Sequence, residues 1–122
     1  MPTQEITKET FNDTINANGI VLVDWWASWC GPCRSFAPVY EEASERHSDI
    51  VFGKVDTEAQ PELSAMAQIS SIPTIMAFRD GILIFSQPGA LPGPTLEELI
   101  GKVRELDMEH VHASLAAEEQ SG

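Results

Sequence analysis

Two cysteines, Cys30 and Cys33, stand with only Gly31 and Pro32 between them, and the chain has no others. An apolar run from Ile20 to Trp29 leads into the pair, and a segment of helical spacing leads away. This spacing lets the two thiols form a disulfide with each other, one of them within reach of solvent. Reversible thiol–disulfide exchange is the chemistry expected of them. With Cys30 at the start of a helix, its sulfur lies near unpaired backbone N–H groups and the positive end of the helix dipole, and both stabilise a thiolate. Cys33 follows one turn later on the same face and is expected to be the more enclosed. The Cys30 thiolate would attack a substrate disulfide. Cys33 would then attack the Cys30 sulfur and release the reduced substrate. Pro32 limits backbone freedom between the sulfurs.

Two blander readings compete: a zinc half-site and a pair of inert thiols. Zinc takes about four ligands. No second cysteine pair exists, and His47, His110 and His112 lie far along the chain. A secreted disulfide scaffold would spread several cysteines, whereas these cannot staple distant segments. Redox chemistry is therefore favoured and no metal is expected.

The pair must be held by the elements around it. Lys8 to Asn18 reads as a short helix with Thr7 as N-cap, ended by Asn18-Gly19. Ile20 to Trp26 reads as a central strand covered on both faces. Cys30 to His47 has helical spacing, with Phe36, Val39, Tyr40 and Ala43 on one face and Pro38 expected to kink it. Ile50 to Val55 reads as a strand, and Pro61 to Ala67 as a helix with proline in its first turn. Pro73 to Phe78 and Ile82 to Ser86 flank Arg79-Asp80-Gly81, a strong hairpin signal. Pro88 to Pro94 reads as a loop. Thr95 is expected to open a helix in a capping box with Glu98, burying Leu96, Leu99, Ile100, Val103 and Leu106. Gly101 inside it costs about 1 kcal/mol relative to alanine. Residues 1–108 are expected to form one domain, with Thr3 to Ile6 a candidate short strand at its start, and residues 109–122 a frayed, acidic tail. Strands alternating with helices and closing on a hairpin predict an α/β fold: a three-layer α/β/α sandwich around a mixed sheet.

Composition narrows the function. The chain has 122 residues, 43% of them apolar and 21% charged, which suits one globular domain. With 7 basic and 19 acidic residues its net charge is −12. So acidic a surface disfavours nucleic acid and anionic membranes and favours partners with basic docking faces. Met1 to Phe11 lacks the basic start and apolar stretch of an export signal, and no apolar run nears the roughly 18 residues of a membrane span. A cytoplasmic location is expected.

The stretch Val21 to Arg34, reading VLVDWWASWCGPCR, resembles the active site of the thioredoxin family. Ile72-Pro73-Thr74, Arg79-Asp80-Gly81 and Gly89-Ala90 match the family's later landmarks in order, so the resemblance spans about residues 5–106. It implies the thioredoxin fold and a protein disulfide reductase that binds no cofactor. Its Cys30–Cys33 disulfide would be recharged by a flavin-dependent thioredoxin reductase drawing on NADPH. The implied partners are that reductase and disulfide-containing proteins, and the chain is expected to be a monomer. Asp24 matches the family's buried aspartate, whose pKa burial should raise and which could take the proton of Cys33 through a water. Lys54 matches the lysine facing that aspartate, and Pro73 the family's cis-proline. The Ile72 backbone is similar to the edge that pairs with an extended substrate. Trp29, Gly31, Pro32, Ile72, Pro73, Gly89 and Ala90 would form the docking patch. Trp25 stands where the family usually has phenylalanine, and the rim from Gln87 to Pro94 is unusually proline-rich.

Two other functions fit the same residues. An oxidase or isomerase would work outside the cytosol and so require export. A thioredoxin-like binding or chaperone subunit would depend more on its docking surface than on its thiols.

Overall fold

A computed structural model of the chain describes residues 3–17 and 19–121, with side chains to residue 117. Asn18, expected to end the first helix, lies outside the described residues. The elements run β1 (Thr3–Glu5), α1 (Phe11–Ala17), β2 (Ile20–Trp26), α2 (Gly31–Arg46), β3 (Val51–Asp56), α3 (Pro61–Met66), β4 (Thr74–Arg79), β5 (Ile82–Pro88), α4 (Gly93–Glu105) and α5 (Met108–Ser121). The five strands form one sheet in the order β1-β3-β2-β4-β5. β1, β3 and β2 are parallel, while β4 and β5 are antiparallel, so the sheet is mixed.

Side chains alternate across a strand, and β2 shows the result. Val21, Val23 and Trp25 enter one apolar cluster, packed with Ile15 of α1 and Leu63 of α3. Leu22 enters the other, with Phe36, Tyr40 and Ala43 of α2 and Leu96, Ile100 and Val103 of α4. Helices thus cover both faces, and the expected α/β/α sandwich is the observed one. The same alternation sends Asp24 and Trp26 to the α2 side of the sheet. Register then places Lys54 of β3 opposite Asp24.

The hairpin joining β4 to β5 turns at Asp80 and Gly81, both with positive φ (53° and 80°). That pattern suits a two-residue turn matched to strand twist. Arg79, at the end of β4, reaches the C-terminal end of α4. Its Nη1 donates to the carbonyls of Val103 (2.8 Å), Arg104 (3.2 Å) and Leu106 (3.0 Å), at the helix end where carbonyls run short of intrahelical donors.

Three local expectations need correction. Thr7 to Thr10 form turns, and α1 proper begins at Phe11, whose N–H donates to the Thr7 carbonyl. The α4 helix begins at Gly93 with Pro92 as its cap residue, and no side chain caps it. The proposed Thr95–Glu98 capping box therefore does not form. Pro94 suits the first turn, where its missing N–H has no partner to lose. The stretch 109–121 of the tail expected to fray belongs to the helix α5, which starts at Met108. Asp107 caps it, accepting from the N–H groups of Glu109 (3.1 Å) and His110 (3.3 Å). Its apolar residues are few: Met108 and Val111 are half-buried and Leu115 is exposed.

Candidate active site

β2 ends at Trp26 and α2 opens at Gly31, so the sheet delivers Cys30 to a helix entrance. Cys30 is the N-cap of α2, with extended backbone (φ −86°, ψ 114°) and Pro32 in the first turn. Cys30 and Cys33 are joined by a disulfide, their Cα atoms 5.2 Å apart. The Cys33 N–H donates to Cys30 Sγ at 3.2 Å. The sulfur thus takes the place that serine or aspartate oxygen takes at other helix starts. A negative sulfur gains there from the N–H and from the helix dipole. No acidic residue stands in the first turn of α2 to oppose that charge. Both cysteines are buried in the oxidised state, Cys30 at 5% and Cys33 at 3% exposure, so the expected contrast in access between them is small here. Arg34 is turned back, donating to the Ser28 carbonyl at 2.8 Å.

Asp24 is 1% exposed, and neither carboxylate oxygen has a hydrogen-bond partner in the structure. Burial raises its pKa to about 7, against the opposing pull of Lys54. Lys54 is half-buried, its Nζ over the Trp26 ring at 4.9 Å from the centroid. Tyr40 of α2 is fully buried, and its hydroxyl donates to the Gly53 carbonyl at 2.8 Å. Burial first, and then the Asp24 charge, push the Tyr40 pKa up.

The residues expected to dock substrate fall on both sides of the cysteines. Trp29 is 66% exposed, and its indole N–H donates to Glu58 at 2.6 Å. Gly31 and Pro32 are exposed, Ile72 is half-buried and Pro73 buried. The Ile72–Pro73 peptide is cis. Gly89 and Ala90 are exposed, and the Gly89 N–H donates to the Pro73 carbonyl at 2.7 Å. That bond ties the proline-rich rim to the Ile72–Pro73 turn. Glu58, Tyr40 and Trp26 were not singled out as site residues from the sequence. For Trp26 a signal existed: it stands two residues after Asp24 in a strand and so shares its face.

A disulfide at a helix entrance, beside a mixed sheet covered on both faces, defines a dithiol–disulfide oxidoreductase. The thioredoxin family model matches residues 2–102. A Streptomyces coelicolor relative named as a thioredoxin is 54% identical over 117 residues, spanning 96% of this chain and 87% of its own. Thioredoxin 1 of Synechococcus elongatus is 42% identical over 99 residues, spanning 80% and 92%. The solved structure of Plasmodium falciparum thioredoxin superposes with a TM-score of 0.76 at 36% identity, covering 82% of this chain and 98% of that one. This chain belongs to the thioredoxin family, and its redox-active group is the Cys30–Cys33 pair. All of α5 lies beyond the stretch that the family model matches.

Proposed function

We propose that this chain is a general protein disulfide reductase of the cytoplasm, working as a monomer and recharged by a flavin-dependent thioredoxin reductase that draws on NADPH. The observation that carries the reading is the capping of α2 by Cys30 Sγ, which favours an anion on that sulfur. In the reduced protein the Cys30 thiolate attacks one sulfur of a substrate disulfide. That bond breaks, one substrate sulfur leaves as thiolate, and a mixed disulfide forms. Cys33 then loses its proton and attacks Cys30 Sγ. The mixed disulfide breaks, the second substrate thiolate leaves, and the Cys30–Cys33 bond closes.

Asp24 is the proton acceptor for Cys33 in this scheme, through a water. A carboxyl with a pKa of about 7 changes its protonation near neutral pH, which suits that task. Lys54 tunes it electrostatically. The exposed Trp29, Gly31, Pro32, Gly89 and Ala90, with Ile72 and Pro73, dock the substrate, whose extended backbone pairs with that of Ile72. The net charge of −12 favours partners with basic docking faces over nucleic acid or membrane surfaces.

The test is insulin reduction coupled to NADPH oxidation through a cognate reductase. The parent is expected to turn over and Cys30→Ser to be inactive. Insulin reduction by Cys30→Ser at the parental rate would overturn the proposal.

A further inference from the structure

Asp24, Lys54 and Trp26 share one face of the sheet, yet the Lys54 ammonium makes no ion pair with Asp24. The two are directly opposite in register. Among the described residues, the close contact shown for Nζ is with the Trp26 ring, 4.9 Å from its centroid. Two further carboxylates stand close by. Glu5 of β1 is the register partner of Lys54 on its other side. Asp56 lies two residues along β3. Both line an open pocket of about 410 Å³ together with Thr3, Trp26 and Lys54. A lysine stem is flexible and its head seeks water or a carboxylate, so Glu5 and Asp56 offer the ammonium a solvated alternative. An aromatic face beside it attracts the cation and competes with that alternative.

We propose that Trp26 is a positioning residue: its ring holds the Lys54 ammonium on the Asp24 side of the sheet and away from Glu5 and Asp56, and so sets the proton affinity of Asp24. The pull of Lys54 against burial at Asp24 agrees with this geometry. Tyr40, the other titratable group facing Asp24, approaches from α2 and is anchored to Gly53, so it stays in place when Lys54 moves. The consequence for turnover rests on the role given to Asp24 above. The positioning itself does not.

The experiment follows the Asp24 carboxyl carbon by NMR across pH in the oxidised protein. Trp26→Leu is expected to raise the Asp24 midpoint by roughly one pH unit, the low end of what a nearby opposite charge produces. Trp26→Phe, which keeps an aromatic face, is expected to restore most of it. Lys54→Gln is expected to raise the midpoint similarly, and Trp26→Leu added to Lys54→Gln to add nothing. An unchanged midpoint in Trp26→Leu would overturn the proposal, as would an equal shift in the Lys54→Gln background, which would mean the ring acts by covering Asp24. If Trp26→Leu fails to fold, the parent decides: Lys54 side-chain protons shifted upfield by the ring support the placement, and unshifted ones overturn it. Should the midpoint move while the pH profile of the resolving step does not, Trp26 keeps its role and Asp24 loses its own as proton acceptor.

Discussion

The N–H of Cys33 points at the sulfur of Cys30, 3.2 Å away. One cysteine therefore supports the other twice, as resolving thiol and as backbone donor. The second service uses no side chain, so it survives replacement of the Cys33 thiol.

Cys33→Ser is accordingly expected to keep a reactive Cys30 and lose only resolution. Mixed with protein disulfides, it should accumulate covalent adducts on Cys30 that dithiothreitol releases. Intact-mass spectrometry checks this, and adducts no more abundant than those of Cys30→Ser would contradict it.

Asp24 should make the oxidised protein less stable as pH rises. Its folded pKa of about 7 lies above the ordinary 3.8. Between those values the folded state keeps a proton that the unfolded state has lost, so stability falls from about pH 4 to pH 7 and then levels. Asp24→Asn removes that loss. It is expected to exceed the parent by up to about 4 kcal/mol above pH 7, from about three pKa units at 1.36 kcal/mol each, and to match it below about pH 4. Urea unfolding at pH 3.5 and pH 8 checks both ends, and a constant difference would contradict the assignment.

Tyr40→Phe keeps the ring packing against Phe36 and Phe52 but removes the buried bond to the Gly53 carbonyl. The expected cost is about 1–2 kcal/mol in equilibrium unfolding. Unchanged stability would mean the hydroxyl is not a net contributor.

Trp29→Ala removes the most accessible aromatic beside the cysteines. On the proposed docking role, KM for insulin should rise about tenfold, equivalent to about 1.4 kcal/mol of lost binding. The second-order rate with a small disulfide should change far less. Equal losses with both substrates would place Trp29 in the chemistry instead.

Much of this arrangement could be read from residue order. The Cys30 helix, the Asp80-Gly81 turn and the two-faced β2 each declare themselves through local spacing, and the structure has all three. Residue order misplaces the start of α4 because Thr95 and Glu98 imitate a capping pair, while Pro94 fits the first turn just as well. The helix over 108–121 gives little signal in the sequence because its apolar residues are too sparse to make a stripe. The contacts of Lys54 with Trp26 and of Tyr40 with Gly53 depend on how β3 registers against β2 and how α2 lies across them. Neither relation is local, so neither can be counted out along the chain.

The three carbonyls gathered by Arg79 fasten the end of α4 to the end of β4. Tension applied to the chain beyond Leu106 is therefore expected to load β4, and through it the middle of the sheet, before α4 can peel away. Single-molecule stretching of an Arg79→Ala chain should show α4 yielding first at lower force. If both chains yield alike, that guanidinium is not a mechanical clasp.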